Sequence, residues 1–274
     1  MTKKVAYQGV KASFSEMAIA RRFSGEAEAI GKVTFDEVFE ALCMAEVDLA
    51  ALPIENSLIG PIVENLDLLA RHEAHVVGEL CLPIEHCLVG KKGQKLEEIR
   101  KVSSHPKALA QCTRFFQEHP WIEPVVHFDT AGAAKEIAMG SDTTAAAIGS
   151  RKTAEEYGLE ILQKNLEDDG SNTTRFLFLQ KGGKERVDLK EGKCSLLFTL
   201  AHEPGSLAAA LNVLAEEGLN LMQIVSRPIK EKPFEYLFFV DLLYSDKIDL
   251  QGVLEKMAEH TETFKLLGVY EPAQ

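Results

Sequence analysis

Asn172-Thr173-Thr174-Arg175-Phe176 sets a hydroxyl beside a guanidinium at the mouth of an apolar strand, Phe176 to Leu179, just after the acidic turn Glu167-Asp168-Asp169-Gly170. A threonine hydroxyl can donate a proton or hydrogen bond to a leaving oxygen, and an arginine can clamp a carboxylate with two parallel N–H groups. At one cleft, the pair would supply an acid and an anion anchor together. Successive strand residues point to opposite faces, so both reach one cleft only where the backbone is irregular. The strand is therefore expected to begin irregularly, with Thr174 still in the turn. The plain alternative is an ordinary strand threonine beside a surface arginine, and the rest of the chain has to decide.

Further polar clusters follow apolar runs. Val5–Gln8, Leu49–Ile54, His86–Val89, Val102–Ser104, Val125–Phe128 and Ala145–Ile148 read as strands. Between them, Phe35–Ala45, Ile62–Ala70, Ala108–Gln117, Ala131–Met139 and Lys152–Tyr157 carry helical periodicity. Such alternation implies crossovers and largely parallel sheets. In open α/β sheets ligands sit beyond the carboxyl ends of the strands. There the sequence places Gly9-Val10-Lys11-Ala12-Ser13 with Glu16 at capping-box spacing, Glu55-Asn56-Ser57 before Gly60-Pro61, Ser103-Ser104-His105-Pro106, Asp129-Thr130, and Gly149-Ser150. Each alone is an ordinary helix cap. Their recurrence suggests several helix N-termini, each with unpaired N–H groups and about half a positive charge, converging on one anion-binding cleft.

That arrangement suits an acidic protein. The 274 residues carry 30 Lys and Arg against 42 Asp and Glu, a net charge of −12, and no basic stripe for nucleic acid or an anionic membrane surface. With no apolar signal region after Met1-Thr2-Lys3-Lys4 and no run of 18 apolar residues, a cytoplasmic location is expected. The five cysteines are scattered without short paired spacing, arguing against disulfides and zinc. His72 and His75 read as solvated, so no metal is expected. His105 lacks a nucleophile elbow or a spaced acid, and Gly9-Val10-Lys11-Ala12 lacks the glycines of a nucleotide loop. No cofactor is implied.

The chain is long for one core and divides by pattern. Residues 1–181 read as a two-lobed α/β unit, with a polar break at Gly90-Lys91-Lys92-Gly93 and a second lobe over roughly 85–160. Residues 182–193 form a glycine-rich polar linker. In 194–274, Ser195–Leu200, Leu219–Ser226, Tyr236–Leu242 and Phe264–Tyr270 read as strands and Ser206–Glu216 and Leu250–His260 as helices, the βαββαβ order of a ferredoxin-like domain. Nothing in that domain has a catalytic pattern.

Taken together, Pro53-Ile54-Glu55-Asn56-Ser57, Ser104-His105-Pro106 with Ala108 and Gln111, Asp129-Thr130-Ala131 and Asn172-Thr173-Thr174-Arg175-Phe176 resemble, in order and spacing, the catalytic domain of prephenate dehydratases. The tail resembles their ACT regulatory domain through Pro204-Gly205-Ser206-Leu207-Ala208 and Ser226-Arg227-Pro228, with Val225 where the family motif has glutamate. The first loop, Gly9 to Ser13, departs from the family's Gly-Pro-x-Gly. The resemblance implies two lobes like those of periplasmic binding proteins, the ACT domain behind them, and decarboxylating dehydration of prephenate to phenylpyruvate under feedback by L-phenylalanine. It implies Thr174 as donor to the leaving hydroxide, Arg175 as carboxylate clamp, and Ser13, Asn56, Ser57, Ser104, Thr130, Thr173 and Phe176 around the substrate. For the effector it implies Gly205, Ser206, Leu207, Ala208, Leu211, Asn212, Ser226, Arg227 and Pro228, in a homodimer or homotetramer. Arogenate as substrate, or a non-catalytic amino-acid sensor, are the alternatives.

Overall fold

The computed structural model describes residues 2–182, 189–229 and 232–273; half of the linker expected at 182–193 lies outside them. The chain begins β1 (Lys4–Gln8), α1 (Phe14–Arg22), β2 (Glu28–Lys32), α2 (Phe35–Cys43), β3 (Leu49–Asn56), β4 (Gly60–Pro61), α3 (Val63–Arg71) and β5 (Ala74–Pro83). It crosses at Ile84-Glu85-His86 into β6 (Cys87–Gly90), β7 (Lys101–Ser104), α4 (Pro106–Ala110), α5 (Thr113–Glu118), β8 (Glu123–Val126), α6 (Thr130–Met139), β9 (Ala145–Gly149), α7 (Arg151–Tyr157) and β10 (Glu160–Gln163). It then returns as β11 (Thr173–Lys181). The last part is β12 (Gly192–Thr199), α8 (Ser206–Glu216), β13 (Asn220–Pro228), β14 (Tyr236–Tyr244), α9 (Leu250–Glu259) and β15 (Thr263–Tyr270).

The described residues form three sheets. The first runs β2-β1-β3-β11-β5 with β4 on β3, the second β10-β6-β9-β7-β8, and the third β13-β14-β12-β15. The first two are mixed: β1 pairs in parallel with β2 and β3, and β7 with β8 and β9, while the returning β11 runs antiparallel between β3 and β5. Two crossings join these lobes, so the residues at the crossings form the floor between them. The third sheet is the ferredoxin-like one, and no helix among the described residues is long and apolar enough to cross a membrane.

Each lobe closes around its own apolar cluster, but the third sheet has two buried faces. Phe198, Val240 and Leu242 pack under α8 and α9, whereas Leu197, Phe239, Leu267 and Tyr270 join Val76, Leu177 and Leu179 of the first lobe. Gly268 shows how close this approach is, since a Cβ there would lie 2.2 Å from the Val76 carbonyl oxygen. Only glycine admits that backbone contact.

Several sequence expectations change. Ala108–Gln117 is not one helix: α4 stops at Ala110, and Asp168 arrives from the returning chain to accept the N–H groups of Thr113 at 2.9 Å and Arg114 at 2.9 Å, capping a new helix. The break frees Gln111 to turn its side chain inward. The strand expected at Val125–Phe128 ends at Val126. Finally, β11 begins regularly at Thr173, with Thr174 paired to Asn56 and Leu82; its bulge against β3 comes later, between Arg175 and Phe176.

Candidate active site

A cleft of about 530 Å³ lies between the two lobes, within the range of small-molecule sites. The first lobe contributes Ser13, Asn56, Thr174 and Phe176; the second contributes His105, Lys107, Gln111, Asp129 and Thr130; His86 lies at the crossing between them. Ser13 caps α1 by accepting the Glu16 N–H, and the Asp129 carboxylate accepts the Gly132 N–H at the start of α6. Lys107 adds a cation to the cleft, whose lining also includes the carboxylates of Glu64 and Asp129. Phe128 and Val33, 65% and 66% exposed, form apolar lips on opposite sides.

The floor is a chain of neutral amides. Asn56 Oδ1 accepts the backbone N–H groups of Leu58 and Ile59, both at 3.1 Å. Its Nδ2 donates to Thr174 Oγ1 at 3.0 Å and to Asn172 Oδ1 at 2.7 Å. Asn172 Nδ2 donates to Gln111 Oε1 at 3.1 Å, and that oxygen also meets His86 Nε2 at 3.0 Å. Because Thr174 Oγ1 already accepts from Asn56, its own proton is left to donate. Burial pushes the His86 imidazole below the ordinary histidine value, against the opposing pull of Gln111 and Glu167. Burial and Lys107 do the same to His105, whose Nδ1 accepts the Lys107 N–H at 3.2 Å.

Arg175 is a correction. Its neighbour Thr174 faces the cleft, and on a regular strand Arg175 must face the other way. Its Nε donates to Glu79 at 2.6 Å, one Nη to Asp241, the other to the Tyr270 hydroxyl at 3.0 Å. Lys193 Nζ completes the cluster 3.1 Å from Glu79. These charges lie between the first lobe and the third sheet, so the Arg175 side chain is committed there and does not reach the cleft.

Three expected substrate contacts are also relocated. Ser104 is fully buried and donates to the Ile148 carbonyl at 2.8 Å. The Ser57 hydroxyl is held between the Ser171 carbonyl at 3.0 Å and the Thr173 N–H at 2.9 Å, so Ser57 and Thr173 brace the turn before β11. Phe176, 1% exposed, forms the apolar floor beside Thr174. The sequence reading assigned no role to His86, Asn172 or Lys107 and quoted Gln111 only within a motif. A histidine opening the expected strand His86–Val89 was the available signal.

The expected effector residues gather at one end of the third sheet, where Thr199, just before Gly205, pairs through Leu237 with Arg227. Gly205, at φ +92°, starts α8; Leu207 and Leu211 pack under it, while Ala208 and Asn212 are exposed. The Ser206 hydroxyl donates to the Glu203 carbonyl at 3.1 Å. Ser226 and Pro228 are exposed on β13, but Arg227 turns to the catalytic lobe and holds Asp67 of α3 with two bonds of 2.9 Å. Val225 packs into the interdomain core on that face, so the position differing from the family motif contacts the first lobe.

Comparison with known proteins agrees with this architecture. The prephenate dehydratase family model matches residues 5–184 and the ACT domain model residues 195–259. Arogenate dehydratase/prephenate dehydratase 2, chloroplastic, of Arabidopsis thaliana is 41% identical over 97% of this chain and 72% of its own length. A solved prephenate dehydratase from Arthrobacter aurescens, in complex with L-Phe, superposes with a TM-score of 0.88 at 27% identity, covering 98% of this chain and 89% of that one. A structure described as GqqA, a novel type of quorum quenching acylases, superposes with a TM-score of 0.90 at 32% identity, covering 99% and 98%. A threonine hydroxyl over neutral amides, in a two-lobed cleft backed by an ACT sheet, is thus the local form of a shared architecture, and this chain belongs to the prephenate dehydratase family.

Proposed function

We propose that this chain is a cytoplasmic prephenate dehydratase in phenylalanine biosynthesis, with Thr174 as the donor to the departing hydroxide. The observation that carries the reading is the Thr174 hydroxyl in the cleft, its acceptor side filled by Asn56 and its proton free. In the reaction the bond between the ring and its carboxylate breaks, and the carboxylate leaves as carbon dioxide. The electron pair of that bond enters the ring, and the ring C–O bond breaks to expel hydroxide, which leaves as water after gaining a proton. Thr174 meets the developing negative charge, and the Asn56 N–H steadies the oxygen of Thr174 as its proton moves. Such positioned acid assistance contributes about 10²–10⁴-fold. Lys107, the Gln111 Nε2–H and the starts of α1 and α6 are the proposed carboxylate partners.

Arogenate is the second reading. The Arabidopsis relative's name includes it, and the carboxylates of Glu64 and Asp129 line the cleft where an ammonium group could be received. An acylase reading has less support, because the cleft histidines His86 and His105 bond to Gln111 and to backbone rather than to a hydroxyl nucleophile. Phenylalanine is the proposed effector, bound at Gly205–Leu207 and Ser226. A homodimer or homotetramer is the proposed assembly, joined through edge strand β13 with its exposed Met222 and Ile224. Steady-state rates with prephenate and with arogenate, each with and without added phenylalanine, test the substrate and the regulation together. No turnover of either acid overturns the reading.

A further inference from the structure

The polarity of the amide chain beneath Thr174 can be worked out from groups whose roles are fixed. Backbone N–H groups only donate, so the bonds from Leu58 and Ile59 fix Asn56 Oδ1 as acceptor and Nδ2 as the side facing Thr174 and Asn172. Asn172 then accepts with Oδ1 and donates with Nδ2, so Gln111 receives that bond on Oε1. An oxygen has no proton to give, hence His86 must carry its proton on Nε2 to bond the same atom.

Nothing else in this part of the floor enforces that direction from the far end. If His86 held its proton on Nδ1, Nε2 would be an acceptor and would favour the flipped Gln111 amide. The flip would put N–H groups of Gln111 and Asn172 against each other, or turn Asn172 and then Asn56. A turned Asn56 would present Oδ1 to Thr174 and draw the threonine proton away from the cleft. The His86 backbone is held on both sides, its N–H donating to the Glu167 carboxylate at 2.7 Å and its carbonyl accepting from Leu166 at 3.0 Å. With the ring 2% exposed and edge-on to Phe14, it has little freedom to reorient.

We propose that His86 is a positioning residue for Thr174: its Nε2–H, given to Gln111, closes at the far end the one-way order of donors that the Leu58 and Ile59 N–H groups start at Asn56, and so keeps the Thr174 proton facing the substrate. The role rests on the donor function proposed for Thr174. It also assigns the crossing between the lobes a part in catalysis, since the chain links Gln111 of the second lobe to Thr174 of the first.

The test has two arms. In ¹⁵N-histidine-labelled full-length protein, the His86 signals, identified by their loss in His86→Gln, should show a proton on Nε2 and a bare Nδ1. A proton on Nδ1 overturns the proposal whether or not His86→Leu folds. The second arm compares His86→Leu, which keeps bulk and removes the donor, with His86→Gln, which retains an N–H. Loss of a partner in a buried chain corresponds to about a tenfold fall in kcat or more for His86→Leu, with KM within about threefold, and the glutamine should recover most of it. The Asn56 and Asn172 side-chain amide protons should exchange slowly in the parent protein and rapidly in His86→Leu. Equal losses in both variants, or unchanged amide exchange, would make His86 a packing residue. If the parent protein turns over neither acid, the proposed function fails, while the tautomer and the exchange rates still decide the amide order.

Discussion

The two faces of β11 are built from opposite materials. On the cleft face, Thr174 rests on Asn56, Asn172 and Gln111, all neutral, with no formal charge within the amide chain itself. On the other face Arg175 joins Glu79, Asp241 and Lys193 in a cluster whose side chains are at most 9% exposed. A neutral floor lets a weak hydroxyl donate without a competing fixed charge beside it. A buried ionic cluster is directional and is disrupted by loss of any member, so it fixes how the ACT sheet sits on the lobe. Neighbours in one motif therefore face different surroundings, one lining the cleft and the other seating a domain.

The comparison can be broken at either face. Arg175→Ala leaves the buried Asp241 carboxylate without its cation and Glu79 with Lys193 alone, and should cost about 3–5 kcal/mol of unfolding free energy, measured by denaturant titration. If it weakened substrate binding with stability intact, Arg175 would belong to the cleft after all. Thr174→Ala should do the reverse, losing at least about 100-fold in kcat, roughly 3 kcal/mol, with KM and stability little changed, while Thr174→Ser keeps much of the rate. Near-parental turnover in the alanine variant would remove the donor assignment.

Acid sharpens the contrast further. Burial pushes the Glu79 carboxyl up, but Arg175, the Ala273 N–H and Lys193 outweigh it and hold its pKa below the ordinary glutamate value. A depressed folded-state pKa contributes stability that is complete above the unfolded value and is lost as pH falls through the folded one. Melting temperatures should therefore fall through the acid range below the ordinary glutamate pKa, and Glu79→Gln, less stable at neutral pH, should show a shallower decline. The smallest effect is expected at Arg227. Its pair with Asp67 is about a quarter exposed, so Arg227→Ala should cost less than about 1 kcal/mol. It should nevertheless shift the phenylalanine concentration that half-inhibits the enzyme, because the pair joins the proposed effector strand to α3, whose start borders the cleft. An unchanged inhibition curve would separate Arg227 from regulation.

Local chemistry made much of this protein legible in advance. Ser13, Asp129 and Ser150 read as caps and are caps, because a short polar side chain before a helix satisfies its first N–H groups wherever the helix is packed. The βαββαβ order of the tail was readable from periodicity for the same local reason. The motif order carried the family, since several short patterns in sequence constrain one another. Ser104 and Ser57 misled because a hydroxyl near a strand end satisfies a backbone group as readily as a ligand. The helix break at Gln111 was invisible because its cause, Asp168, lies 55 residues beyond Thr113, whose N–H it accepts.

What the sequence alone determined is that Thr174 and Arg175 part company wherever the strand is regular, since that follows from the period of two; that the strand is regular at Thr174, against the irregular start expected, is a finding of the structure. Which of them looks into the cleft was decided only in three dimensions. The answer depends on what packs against each face, and the partners that settle it stand 118 residues from Thr174 and 96, 66 and 95 from Arg175. No local pattern encodes such distances; they are set when the returning strand inserts between β3 and β5 and the ACT sheet closes over one side of it.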